Sequence, residues 1–239
     1  MPEGALQRAV ELLGRLGERP AELTVAELAS GAGMPTSTAY RLLAELEQHG
    51  LVQRGPDRTV ALGTRLVALG RTAEEALRER LVNPAREVMD ALSDRLGETT
   101  LLTAPCGLEG MVLHSVETER HSVRLSYTLY RRAPMHRGAS GKILAAYLDG
   151  PERERLLEAA GSPSLRRELR RIRRDGFAFT VGELEAGAAA LAAPILDRRG
   201  RIAAGLSVAG PAERVAADPD RVRPVVLEAA QTIERAYQS

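Results

Sequence analysis

The sequence predicts an α+β protein: a winged helix-turn-helix domain, a linker helix, then a larger antiparallel sheet flanked by helices. Three observations lead there. Residues 24–62 read as helix, turn, helix and hairpin; a helix opened at Thr72 runs to about Leu81 as a linker; beyond Gly97 the hydrophobic period changes from helical to alternating. The domains are placed at 1–63, 64–82 and 83–239.

Leu6, Ala9, Val10, Leu13 and Leu16 keep helical spacing, and Gly17 is a natural stop. This first helix is expected to lie under the helix-turn-helix as the third member of its core. Thr24 and Glu27 form a capping box, in which hydroxyl and carboxylate satisfy free N–H groups at a helix start. Gly31 and Gly33 can make the turn, and Pro35 with Thr36 and Ser37 starts the second helix, since proline suits a first turn. At 100° per residue Leu42, Leu43 and Leu46 fall within about 60° of Ala39 and form a buried stripe. Ser37, Arg41, Ala44 and Gln48 lie opposite, with Thr38, Tyr40 and Glu45 on the flanks. Residues 50–54, a Gly55-Pro56-Asp57 turn and residues 58–62 then read as a two-stranded wing.

After the wing, Thr72-Ala-Glu-Glu reads as a second capping box opening a helix to about Leu81, and Asn83-Pro84 as a break with a fresh start. The next helix buries Ala85, Val88, Met89, Leu92 and Leu96 and ends at Gly97. Residues 99–104, 111–116 and 122–129 are β-rich, and residues 138–148, 151–160 and 164–174 are helical. Residues 177–181, 189–196 and 201–208 follow as strands, and residues 222–237 close the chain as a helix. Strands in a meander with helices at intervals suggest one antiparallel sheet.

Composition narrows the class. Hydrophobic residues make up 44% of 239, enough for a core without staples. A single cysteine, Cys106, cannot form an internal disulfide, which fits a reducing cytoplasm, and with four scattered histidines a zinc site is not expected. No apolar run approaches membrane length and no signal peptide follows Met1, so a soluble cytoplasmic protein is expected. The net charge of +1 is no nucleic-acid signature, and residues 1–62 hold six arginines against eight carboxylates, a net of −2. Positive charge must therefore be focused locally.

Two constellations carry chemistry. The outward face of the second helix, with Thr36, Ser37, Thr38, Tyr40, Arg41 and Gln48, offers what a major groove requires: arginine for guanine, an amide for adenine, hydroxyls for phosphate. Arg54 and Arg58 on the wing would add backbone or minor-groove contacts. A solvated helical hairpin is the plainer alternative, and the wing with its arginines favours DNA over it. The second constellation is residues 134–142, which enter a helix through Gly138, Ala139, Ser140 and Gly141. Such a start can hold a carboxylate or phosphate, or its small residues can simply let the helix sit close to the sheet. Both readings stay open.

Other features are plainer. The arginine run at 166–174 flanks a stripe of Leu165, Leu169 and Ile172 and reads as a solvated face, with a helper role toward DNA or phosphate as the lesser reading. His114 reads as a packed strand histidine. Glu183 and Glu185 read as an acidic loop rather than an acid/base pair, and no nucleophile, base and orienting group assemble elsewhere. No catalytic residue, metal site or cofactor is assigned.

The chain resembles the IclR family of bacterial transcriptional regulators over nearly its full length. The resemblance rests on Leu28-Ala29, Gly33-Met34-Pro35-Thr36-Ser37-Thr38-Ala39-Tyr40-Arg41-Leu42-Leu43, Gly50-Leu51-Val52 and Leu62-Gly63 with Arg65-Leu66. It continues through Pro134-Met135-His136, Gly141-Lys142, Asp175-Gly176-Phe177-Ala178, Glu185 with Gly187, Ala192-Ala193-Pro194-Ile195 and Leu206-Ser207-Val208-Ala209-Gly210-Pro211. It implies a GAF-like effector domain, self-association into dimers and often dimers of dimers, binding to pseudo-palindromic double-stranded operator DNA, and a small organic or aromatic acid as effector. The family's pocket positions fall on Ala139, Ser140, Thr180, Ala188, Ala190, Ser207 and Ala209. Thr180 stands where an acid is frequent, Ala190 for a cysteine and Ala209 for a serine, which implies a roomier, less polar pocket for a bulkier acid.

Two other classes compete with an effector-responsive regulator, repressors among them. An enzyme that oligomerises through its N-terminal domain lacks a catalytic constellation and a cofactor motif. A ligand-binding scaffold whose acidic N-terminal domain meets another protein fits the −2 charge but leaves the Ser37/Arg41/Gln48 face without a purpose.

Overall fold

The computed structural model describes residues 4–18 and 23–239, and the chain divides into two compact units, Met1–Ala76 and Leu77–Ser239. Glu3, Arg19 and Glu22, counted in the N-terminal charge balance, lie outside the described residues.

The first unit holds α1 (Ala5–Glu18), β1 (Leu23–Thr24), α2 (Val25–Gly31), α3 (Thr36–Gln48), β2 (Val52–Arg54) and β3 (Thr59–Leu62). Its core is Leu12, Leu28, Leu43 and their neighbours, with Ala39, Leu42 and Leu46 buried along α3 as the helical spacing predicts. The α1 stripe is rotated from the expected one. Leu12 and Leu16 are buried, whereas Leu6 is 79% and Val10 58% exposed, so α1 keeps an apolar outer face. Both halves of the Thr24–Glu27 capping box are made. The wing has three strands in the order β1-β3-β2, because Leu23 and Thr24, just before α2, pair with Val60 and Thr59. Two residues are too short a strand to announce themselves by alternation.

The linker differs from expectation in two places. α4 (Arg65–Leu77) starts seven residues before Thr72, and the Thr72 hydroxyl donates within the helix to the Ala68 carbonyl instead of capping it. Nor does Asn83 cap a new helix. It is itself helical (φ −60°, ψ −46°), and a π turn at Arg78–Val82 carries α4 into α5 (Asn83–Leu96) without a break. At its end the Asn83 N–H donates to the Arg78 carbonyl, and Pro84, which has no N–H to give, falls in the first turn of α5. α5 stops at Gly97, left-handed at φ +71°, as expected.

In the second unit six strands form one antiparallel sheet in the order β6-β5-β4-β9-β8-β7: β4 (Thr99–Cys106), β5 (Glu109–Val116), β6 (Arg132–Pro134), β7 (Ala178–Val181), β8 (Ala188–Leu196) and β9 (Ile202–Pro211). α5 and α10 (Pro219–Gln238) join one hydrophobic cluster with Leu102, Leu191, Leu206 and Val208 of the sheet. The other cluster unites α6 (Gly138–Tyr147), α7 (Gly150–Ala160) and α8 (Leu165–Asp175) with Met135, Ala178 and Ala192. α9 (Ala212–Val215) is a single turn after β9. Strand alternation sorts residues between the two faces. Leu102, Leu206 and Val208 turn to the α5/α10 core, while Leu101, Ala190, Ser207 and Ala209 belong to the opposite face.

The predicted strand at 122–129 is not one. Side chains answer its backbone instead: the Thr99 hydroxyl donates to the Leu125 carbonyl (2.7 Å) and Arg214 to the Val123 carbonyl (3.0 Å). The same Arg214 forms a two-pronged pair with the buried Glu98 (2.5 and 2.9 Å). The segment is thus tied down as a loop that needs no ladder, and β6 takes the sheet edge in its place. Among the described residues no helix is long and apolar enough to cross a membrane.

Candidate nucleic-acid interface and ligand cavity

On α3 the residues opposite the buried stripe are outward. Thr36, Ser37, Tyr40, Arg41 and Gln48 are exposed and Thr38 is half-buried. Pro35 precedes the helix and no side chain caps it, so the leading N–H groups of Thr36 and Ser37 face outward at the positive end of the helix dipole. The two forward arginines are held on one surface. Arg41 pairs with Glu45 one turn on (3.4 Å), and Arg54 pairs with Glu47 (3.2 Å) while its guanidinium lies 6.0 Å from the Tyr40 ring centre. Exposed pairs of this kind hold by at most about 1 kcal/mol, so a phosphate or base edge can replace the carboxylates at little cost. Arg58, at the wing tip, is exposed and left-handed (φ +60°).

The second site is a cavity between the sheet and the start of α6. Six of the seven residues named from the sequence line it: Ala139, Ser140, Thr180, Ala188, Ala190 and Ala209. Ser207 lies behind the wall, and its hydroxyl shares a 2.8 Å hydrogen bond with that of Ser140. The interior accommodates water centres over about 70 Å³, several times what one water molecule needs. Leu101, Val112 and Leu184 add apolar wall, and Arg131, Arg137, Tyr127 and Glu185 bring the polar groups. Of the two readings of residues 134–142, the geometry bears directly on the close-packing one. A Cβ on Gly141 would come 2.8 Å from the Pro134 carbonyl, so Gly141 allows close packing there, and with Ala139 and Ser140 it also lines the cavity.

The rim is held by an ionic strut. Lys142 is 5% exposed and its ammonium donates to Glu168 of α8 and Glu183 of the β7–β8 loop, both at 2.7 Å. The other oxygen of Glu183 accepts the Gly138 N–H (3.1 Å), and Arg137 donates to the Glu183 carbonyl (3.1 Å from Nε). Glu185 pairs with Arg131 (3.4 Å). The acidic loop is therefore structural, in line with the sequence. His114 is half-buried in β5; burial first and Arg86 second lower its pKa, against Asp90.

Sequence reasoning missed Tyr127, Arg131 and Leu184. Tyr127 sat in a stretch read as strand, and no local pattern distinguishes Arg131 from its neighbour Arg132. Burial is the main cause that pushes the Tyr127 phenol up to about 12, Glu185 adds to it, and Arg131 opposes it. Tyr127 is thus a hydrogen-bond donor throughout the physiological range. Being raised above its unfolded value near 10, it contributes stability that is complete below pH 10 and lost as pH rises toward 12. Spectrophotometric titration of the five tyrosines is expected to show a late phase near pH 12 that disappears in Tyr127→Phe. A titration complete by pH 11 in the folded protein would contradict this burial.

Comparison with known proteins matches both parts of the chain to family descriptions. The family description "Bacterial transcriptional regulator IclR C-terminal" matches residues 75–235, and "IclR helix-turn-helix domain" matches residues 5–56. The transcriptional repressor IclR of Escherichia coli (strain K12) is 28% identical, the alignment covering 98% of this chain and 89% of the repressor. The HTH-type transcriptional regulator XynR of the same organism is 29% identical over 88% of this chain and 87% of its own. A solved regulator from Silicibacter sp. TM1040 superposes with a TM-score of 0.80 at 27% identity, covering 98% of this chain and 96% of that one. An IclR homologue from Microbacterium hydrocarbonoxydans, solved in complex with 4-hydroxybenzoate, superposes with a TM-score of 0.67 at 27% identity over 97% and 98% of the two chains.

Proposed function

Because this chain belongs to the IclR family of bacterial transcriptional regulators, we propose that it binds a pseudo-palindromic operator through α3 and the wing and releases or tightens on it when a small organic acid fills the second-unit cavity. Its relatives are transcriptional regulators, which sets the enzyme reading aside. The observation that carries the effector proposal is the mixed chemistry of the cavity. Its wall is mainly apolar, while Ser140, Arg131 and Arg137 bring a hydroxyl and two guanidinium groups to it, the latter in contacts with the Glu185 carboxylate and the Glu183 carbonyl that an acid would share. A carboxylate at those groups with an aromatic or branched body against Leu101, Val112 and Leu184 fits this distribution. The 4-hydroxybenzoate homologue makes hydroxybenzoates the first compounds to try.

Ser37, Thr38, Tyr40 and Arg41 are assigned to the major groove, with Gln48 further along the same face. Thr36 and the leading N–H groups take phosphate, and Arg54 and Arg58 take backbone or minor groove. Self-association through the N-terminal unit suits the exposed Leu6 and Val10 on α1 and Val67 and Leu69 on α4, and a dimer places two α3 helices on two half-sites. A cytoplasmic location follows from that role.

The test is a gel shift on the intergenic DNA beside the protein's own gene, with random DNA and Arg41→Ala alongside, repeated with hydroxybenzoates and glyoxylate. Arg41→Ala is expected to weaken operator binding roughly 5- to 150-fold, the worth of about 1–3 kcal/mol, and random-sequence binding far less. Equal losses on both duplexes would remove Arg41 from base readout. Calorimetry in which glyoxylate-sized acids alone bind would remove the bulkier-acid assignment. Coupling must be reciprocal: an acid that weakens DNA binding binds less tightly to the DNA complex.

A further inference from the structure

The eleven residues of α8 contain six arginines and two carboxylates, a net of +4 in a chain whose net charge is +1. Without them the chain would be at −3. The charge is also sorted by face. Counting 100° per residue from Arg167, the side chains of Arg170, Arg171 and Arg174 fall at about −60°, +40° and −20°. The buried Leu165, Leu169 and Ile172 lie at about 140° to 200°, directly behind. The remaining charges are occupied elsewhere: Glu168 holds Lys142, Arg166 pairs with Glu154, and Arg173 stacks over Tyr147 at 5.3 Å. Arg174 pairs with Asp175, and among the described residues Arg167, Arg170 and Arg171 enter no ion pair. All four arginines of the outer row are exposed.

We infer that this arginine row is a second DNA-contacting surface, which takes the phosphate backbone of duplex DNA and reads no bases. The inference rests on the regulator reading above. Charge complementarity is its first ground: the N-terminal residues 1–62 are net −2 and supply little nonspecific attraction, whereas α8 concentrates it. Residue type is the second, since guanidinium groups pair with phosphate through two parallel hydrogen bonds. The third is shape. The i, i+3, i+4, i+7 row extends about 10 Å along the helix, a length over which duplex DNA presents several phosphates. The row contains no apolar or aromatic residue, unlike the centre of a protein–protein interface.

The test uses the full chain and fluorescence anisotropy on a random-sequence duplex and on the operator duplex, over a series of salt concentrations. Arg167→Gln, Arg170→Gln and Arg171→Gln are combined, since glutamine keeps the helix propensity of arginine. The plot of log affinity against log salt on the random duplex is expected to lose up to about 2.7 in slope, 0.9 for each phosphate contact removed. A control variant with the same charge change at dispersed exposed sites, Arg120→Gln, Arg199→Gln and Arg221→Gln, should keep nearly the wild-type slope. An unchanged slope in the α8 variant overturns the inference and leaves the row to an acidic protein. An equal loss in the control also overturns it, because net charge rather than a surface would then be responsible. Operator preference and its dependence on Arg41 report the regulator reading separately: a wild type without that preference, in which the α8 variant still loses slope, sinks that reading and keeps this one.

Discussion

Lys142→Met is expected to destabilise the second unit by about 3 kcal/mol and to weaken effector binding at the same time. The ammonium is 2.7 Å from both Glu168 and Glu183 at a site only 5% exposed. Removing one member of a buried ionic group leaves the others short of a counter-charge, which is more damaging than removing the whole group. Here two carboxylates would be left facing each other. Their side chains are 28% and 32% exposed, so water tempers the cost and places it at the lower end of the usual range. The effect on ligand has its own route. Glu183 accepts the Gly138 N–H and its backbone receives Arg137, so the loop carrying Leu184 and Glu185 along the cavity is fixed to the start of α6 through this residue. Urea unfolding and calorimetry measure the two effects. The triple variant Lys142→Met with Glu168→Gln and Glu183→Gln should regain much of the stability, yet not the affinity, because the strut is still absent. A single variant as stable as wild type, or a triple variant less stable than the single one, would contradict the account.

Where local chemistry decides the outcome, the sequence was enough. The α3 stripe at Ala39, Leu42, Leu43 and Leu46, the Thr24–Glu27 box and the stop at Gly97 each depend on residues within one or two turns. Where a distant partner decides, it misled. Thr72-x-x-Glu75 has the pattern of a cap, but the helix is already under way from Arg65 because the chain after the wing is pinned by its own backbone bonds. Residues 122–129 alternate like a strand, but Thr99 and Arg214 reach their carbonyls from elsewhere in the unit. Asn83-Pro84 reads as a break because a π turn cannot be seen in periodicity. The cavity divides in the same manner. Its helix start at residues 138–141 can be read from the run of small residues, whereas Thr180, Ala188, Ala190 and Ala209 come only through the family resemblance. Tyr127 and Arg131 come from the loop, and only the fold brings them to Ala139 and Thr180.

The same dependence on a backbone partner makes Gly63→Ala the sharpest test of the junction between wing and linker helix. A Cβ built on Gly63 would lie 2.1 Å from the Gly50 carbonyl oxygen and 2.8 Å from the Leu51 carbonyl carbon. Both are main-chain atoms in the turn between α3 and β2, so no flexible side chain can move aside. Around this contact the Gly63 N–H donates to the Leu51 carbonyl (2.8 Å), the Arg65 N–H to the Gly50 carbonyl (3.3 Å) and the Arg65 guanidinium to the His49 carbonyl (3.1 Å). These bonds fasten the start of α4 to the end of α3. One added methyl must open them, at an expected cost of about 3 kcal/mol, the upper part of the overpacking range because the neighbour is backbone. The damage should stay within the first unit. Thermal unfolding is expected to show a lowered transition for it, and operator binding is expected to fall at least tenfold because α3 and the wing lose their shared anchor. Effector titration should be unchanged, since Gly63 touches nothing in the cavity. Operator affinity and first-unit stability both at wild-type level would mean that the chain after the wing is not held by this contact, and that α4 takes its direction from something other than the α3–β2 turn.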